Sequence, residues 1–308
     1  MPTQNQIRES INQQILEHLQ IGNIAPWRRP WSLDRACGAP CNVVSGNNYR
    51  GINPAILDVS SMKHGFESKW WGTFRQWKEL GGSVVRRPDN IKPGKWGTTI
   101  VFWKAVAKSD KETESNKKEG YCFMKTYTVF NIDQVEGSHL DHLRVGHGQL
   151  EPNEVQERFD RAEKAIEATG ADIRYFGNEA FYSPASDSIT LPHRQNFSVP
   201  GFYETAFHEL SHWTEHHSRL NWDRSNPEHT IALGELIAEL GGCYMAAELG
   251  VPTAERLENH ASYLKSWLRD MQDDHKFIFR AAAQAARAAD YVLAFSREPV
   301  EETETAPA

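Results

Sequence analysis

Hydrophobic positions recur every three to four residues at the start of the chain, where Ile7, Ile11, Ile15 and Leu19 fall on one stripe among polar neighbours. The stripe predicts an amphipathic helix over residues 1–20, and its even spacing differs from the charged head and apolar core of an export signal. Residues 24–57 then interrupt short apolar pieces with Pro, Gly and Asn, and read as irregular structure with short strands. Residues 68–80 (SKWWGTFRQWKEL) carry a Ser at the N-cap position and end at Gly81-Gly82, which predicts a short aromatic helix. SVVRR, TTIVFWKAVAK and YCFMKTYTVFNI are rich in β-branched and aromatic residues and predict strands. The charged run SDKETESNKKEG between the last two is expected to be a solvated hairpin loop.

The stretch EGSHLDHLRVGHGQLEPN (136–153) has no periodicity and is the expected linker. Beyond it, EVQERFDRAEKAIEATG predicts a helix stopped at Gly170, and ADIRYF with SPASDSITLP predicts a small sheet. GFYETAFHELSHWTEHH, the run from His229 to Leu249 and a stretch reaching about Phe295 read as helices. Residues 296–308, acidic and proline-containing, read as a disordered tail. At 308 residues the chain is about twice a usual single domain. The expected fold is α+β with two domains: a mixed α/β domain over 1–140 and a mainly helical domain with a small sheet over 150–295.

No apolar run approaches the ~18 residues needed to cross a bilayer, so no membrane partner is expected. The four cysteines (Cys37, Cys41, Cys122, Cys243) lack CxxC spacing, which fits a reducing cytoplasm. Charge separates the halves. The net charge is -7, yet residues 1–150 hold 20 Lys+Arg against 14 Asp+Glu, and the remainder holds 14 against 27. Seven of the ten tryptophans also lie in the first half. There, basic and aromatic residues interleave: Trp27, Arg28 and Arg29; Arg50; Trp70, Trp71, Arg75, Trp77 and Lys78; Arg86; Lys95. Cations for a phosphate backbone and flat rings for bases are what single-stranded DNA requires of a binding surface. No helix-turn-helix, zinc finger or basic zipper for duplex recognition is legible. The competing structural role of these tryptophans is to fill a small core.

The acidic half contains His208-Glu209-Leu210-Ser211-His212, an HExxH motif in a helical setting. On a helix, residues four apart share a face, so both imidazoles can meet one Zn²⁺ per chain, with Glu209 as general base. A third ligand is required. Position 218 is Ser, which excludes the pattern with a third His six residues on. In GELIAELGG, Glu235 and Glu239 share a helical face; Glu235 is the first choice as ligand and Glu239 as the group orienting a ligating His, with Glu239 or His229 as alternative ligands. SITLP could form an exposed edge for an extended peptide, with Tyr182, Asp187 and Tyr203 near the cleft.

In the order YRGIN, WGTFRQWKELGG, VFNIDQ, AFYSPASDSITLP, FHELSHWT and GELIAELGG, the chain resembles the ArdC antirestriction family of conjugative plasmids over nearly its whole length. The resemblance implies a single-stranded-DNA-binding domain joined to a zincin-like metallopeptidase domain, acting in the recipient cytoplasm to shield incoming DNA from restriction. By motif matching, His208 and His212 would be ligands, Glu209 the base and Glu235 the third ligand. Proteolysis of DNA-bound protein is then the first function expected. A DNA-binding shield with a structural or vestigial zinc site is the alternative, and an RNA or primase-associated partner a third.

Overall fold

The computed structural model describes residues 3–21, 27, 33–107, 120–222, 230–252 and 261–297. The architecture is α+β in two compact units: Met1–Pro152 with Pro252–Ala283, and Asn153–Val251 with Gln284–Ala308. The units are thus interleaved along the chain, not collinear. The reason lies in the first helix, α1 (Gln4–Ile21), whose stripe of Ile11, Ile15, Leu16 and Leu19 is buried. It packs with α7 (Ala261–Asp273), where the buried Asn12 amide donates to the Met271 carbonyl at 2.8 Å, and Trp27 meets Trp267 at 6.4 Å between ring centroids.

The first unit is built on a four-stranded sheet in the order β1 (Cys41–Asn42), β2 (Trp70–Thr73), β5 (Gly120–Asn131), β4 (Thr98–Ala107). β4 and β5 pair antiparallel from Thr98 opposite Val129 to Ala107 opposite Gly120, while the charged run between them lies outside the described residues. α2 (Asn53–His64) was not anticipated within the irregular stretch. Pro54 in its first turn and Gly65 in the left-handed conformation at its end are ordinary boundary signals.

The helix expected over 68–80 is instead two elements. Trp70–Thr73 is a strand, with Trp71 opposite Asn131 and Thr73 opposite Val129. Only Phe74–Glu79 (α3) is helical, started by a capping box in which Thr73 Oγ1 accepts from Gln76 N and the Gln76 side chain accepts from Thr73 N. The strand pleat turns Trp71 into a core with Tyr49, Leu57, Phe66, Ile100 and Val129. Trp77 is buried on Ile132, Val135 and Leu140, with its indole N–H donating to the Phe130 carbonyl at 2.9 Å. Of SVVRR, only Ser83–Val84 (β3) pairs, with β6 (Val135–Glu136).

The expected linker is folded onto this unit: Leu140 is buried, Ser68 Oγ donates to the Leu143 carbonyl at 2.7 Å, and Gly146 N–H donates to Asp34 at 2.7 Å.

The second unit packs α4 (Pro152–Ala168), α5 (Val199–Trp213), α6 (Ile231–Leu249) and the later part of α8 (Phe277–Ala294) with a three-stranded sheet ordered β7 (Asp172–Tyr175), β9 (Ser188–Leu191), β8 (Phe181–Ser183). SITL is therefore the central strand, buried at all four positions, and not an exposed edge. Both of its sides are taken by β7 and β8. Among the described residues, no helix is long and apolar enough to cross a membrane.

Candidate metal centre

α5 begins at Ser198, whose hydroxyl accepts from Gly201 N–H, and has Pro200 in its first turn. Phe202, Ala206, Phe207, Leu210 and Trp213 bury its apolar face in the core. His208 and His212, one turn apart, stand on the neighbouring face with ring centroids 5.0 Å apart.

α6 runs beside them. Its Thr230 cap accepts from Leu233 N–H, and Glu235, Glu239 and Gly242 follow at helical spacing. The closeness of the two helices depends on glycine. A Cβ on Gly242 would lie 3.3 Å from the His208 backbone nitrogen, and one on Gly241 would lie 2.5 Å from Ser211 Oγ. The last two letters of GELIAELGG thus let its first carboxylate reach the histidines.

Glu235 Oε2 is 3.5 Å from His208 Nε2, and Glu235 Oε1 is 3.6 Å from His212 Nε2. One ligand atom from each of the three residues lies within 4.8 Å of the others. Ligands held at about 2.0–2.2 Å around a tetrahedral metal stand about 3.4 Å from one another, so the donor set fits such an ion in both chemistry and spacing. Burial alone would raise the Glu235 carboxyl, but hydrogen bonds from His208 and His212 outweigh it and hold the group well below the usual carboxylate range.

Glu239 is buried, with Oε2 4.0 Å from His208 Nδ1, on the side of the ring away from Glu235. The matching partner of His212 was not anticipated: the buried Glu215 accepts from His212 Nδ1 at 2.8 Å. Its signal was a carboxylate three residues after the second histidine. The Glu215 hydrogen bond turns His212 Nε2 toward Glu235, and Glu239 places a carboxylate near, though beyond hydrogen-bond distance of, His208 Nδ1.

Glu209 is buried beside these residues. Burial pushes its carboxyl upward, His208 and His212 pull it down, and the Tyr182 backbone N–H donates to it. Tyr182 lies on the edge strand β8. Its hydroxyl donates to Asp187 at 2.9 Å, and Arg219 donates to both Asp187 and the Tyr182 hydroxyl. Tyr203 is instead a core residue, stacked on Phe159 and donating to Glu163. His229 lies outside the described residues.

The expected nucleic-acid residues divide. Trp27, Trp71 and Trp77 are buried in the first unit, because their rings are needed to fill its cores, and none offers a face to a ligand. Trp70 is half-buried beneath the Lys69 ammonium, 4.9 Å from its ring centre. Arg50, Arg75, Lys78, Arg86 and Lys95 are exposed, with Arg75 paired to Glu79 at 2.7 Å. Arg28 and Arg29 lie outside the described residues.

Two family models match the chain: the N-terminal domain of anti-restriction factor ArdC over residues 5–130, and a zincin-like metallopeptidase domain over residues 160–284. The chain is 33% identical to the metal-free crystal structure of the antirestriction ArdC protein from plasmid R388, covering 94% of this chain and 97% of that one with a TM-score of 0.72. The Mn(II)-bound structure of the same protein matches at 32% identity, 95% and 98% coverage, and a TM-score of 0.69. A DNA primase TraC of Escherichia coli is 34% identical over 98% of this chain, which spans about a fifth of that relative's length (21%).

Proposed function

The chain belongs to the ArdC family of antirestriction proteins, and from that premise we propose that it protects incoming DNA in the recipient cytoplasm by binding it single-stranded and by cutting protein on that DNA at a zinc site. The observation that carries the peptidase half is the convergence of His208, His212 and Glu235 from two helices onto one point. The Mn(II)-bound structure of the R388 relative supports a divalent ion in a protein of this family. When bound, a zinc ion supplies Lewis acidity toward a peptide carbonyl and lowers the pKa of its water toward ~7.

The rest falls to the chain. Glu215 holds the His212 imidazole with its ligating nitrogen toward Glu235, and Glu239 stands 4.0 Å behind His208 Nδ1, placed to do the same for His208 on ligation. Glu209 is the base. It sits in a water-poor pocket where burial strengthens its hold on a proton, and the Tyr182 amide keeps its carboxylate aimed. A substrate that is itself bound to the same DNA is presented at high local concentration, so weak intrinsic affinity suffices. The basic first half and its match to the N-terminal domain of anti-restriction factor ArdC support the DNA half.

A restriction assay on transferred DNA tests the reading. Glu209→Ala retains zinc and DNA affinity and loses protection. Full protection by Glu209→Ala would place the activity in DNA binding alone and make the metal site structural.

A further inference from the structure

The outer half of the β4–β5 ribbon presents aromatic rings to solvent. Across the ribbon Ile100 stands opposite Tyr127 and Phe102 opposite Lys125, so these residues share one face with Thr98 and Val129. At the Thr98 end that face is covered by α2: Ser60 Oγ is 2.6 Å from Thr98 Oγ1, and Leu57 is buried with Ile100 and Val129. Next to Ile100 on this face, Phe102 is 47% and Tyr127 38% exposed. Their rings meet edge to face, 5.4 Å apart at 89°. The Lys125 ammonium lies 5.1 Å from the centre of the Tyr127 ring.

We propose that Phe102 and Tyr127, with Lys125, form the base-stacking platform of the first unit, and that its ligand is single-stranded DNA. The proposal rests on the DNA-binding half of the function above and gives it an address. Two observations select this ligand. Rings set at 89° cannot both lie parallel to successive bases of a stacked duplex, whereas a single strand can splay its bases onto both. A lysine ammonium beside the ring supplies a mobile cation that can move off the ring to a phosphate of the strand, and is unfavourable at the core of a protein interface, which is depleted of charge. Of the tryptophans that composition brought forward, Trp27, Trp71 and Trp77 are buried, and Trp70 is half-buried against the Trp77 core with Lys69 over its ring.

The test is fluorescence anisotropy on the full chain, with a labelled oligothymidylate of about 20 nucleotides and an abasic oligonucleotide of equal charge. Phe102→Ala and Tyr127→Ala each weaken oligothymidylate binding by roughly five- to a hundredfold and leave abasic binding unchanged, because stacking is lost and charge is kept. Tyr127→Phe restores near wild-type affinity. Lys125→Ala lowers the salt slope of binding by about 0.7 on either oligonucleotide. Wild-type oligothymidylate affinity in both alanine variants would overturn the platform while leaving the DNA reading intact. Failure of the wild-type protein to bind oligothymidylate would overturn that reading and the platform with it.

Discussion

Replacing Gly241 by Ala tests whether the spacing of α5 and α6 governs metal binding. A Cβ there would stand 2.5 Å from Ser211 Oγ and 3.2 Å from Ser211 Cβ, where ordinary contact begins at 3.4 Å. Ser211 is fully buried and its hydroxyl already donates to the Phe207 carbonyl at 2.9 Å, so it has little room to turn away. Relief therefore requires the helices to part by up to about 0.9 Å, the difference between 3.4 and 2.5 Å. Overpacking of this kind costs about 1–3 kcal/mol of stability. The effect on the site is sharper, because ligand positions are specified to within about 0.2 Å, and Glu235 rides on the displaced helix. Zinc affinity should fall at least about tenfold, the low end of what loss of ligand support causes. Competition against a chromophoric chelator measures the affinity, and thermal unfolding measures the stability. Adding Ser211→Ala removes the closest atom and leaves only the 3.2 Å contact, so the double variant should recover most of both. A Gly241→Ala protein with lowered stability but wild-type zinc affinity would refute the idea that helix spacing sets the ligand geometry.

Glu215→Ala removes the acceptor of His212 Nδ1 and should weaken zinc binding by about 10- to 100-fold with the fold intact, read by the same competition. Trp77→Ala empties a filled site and removes the indole hydrogen bond to the Phe130 carbonyl, so it should cost about 3–5 kcal/mol in denaturant unfolding. Any loss of DNA binding in that variant should track unfolding. Asp187 is held below its ordinary pKa, chiefly by its hydrogen bond from Arg219, so the folded state favours the ionised form. Its contribution is full above the unfolded carboxylate pKa of about 3.9 and is lost as pH falls through the lower folded value. Asp187→Asn should therefore lower the urea midpoint at pH 7, and its gap from wild type should close in strong acid.

The metal helix was legible because its signals are local: a serine cap, a proline in the first turn, and histidines four apart on a stripe beside Phe207 and Leu210. Glu235 was legible as a carboxylate on a second helix, but the reason it can arrive, the glycines at 241 and 242, is a property of two helices in contact. Glu215 lies outside the five-residue motif and is not part of its signal, although its position three residues after His212 places it against Nδ1. The N-terminal tryptophans show the limit of composition. Adjacent rings at 70 and 71 read as helical, yet pairing with β5 made them a strand and sent Trp71 inward. SITL could be placed in a sheet from its residues, but its central position follows from β7 and β8 closing on either side. Nothing local announces that residues 252–283 group with the first unit, since that depends on a contact between α1 and α7 some 250 residues apart, such as Asn12 with Met271 (259 residues).

The most direct test of the metal centre is zinc content by mass spectrometry after dialysis, on wild type, Glu235→Ala and Glu239→Ala purified side by side. The expected result is near-stoichiometric zinc in wild type, its loss in Glu235→Ala, and retention with weakened affinity in Glu239→Ala. Full zinc in Glu235→Ala, with zinc lost in Glu239→Ala, would contradict the assignment and move the third ligand to the carboxylate behind His208.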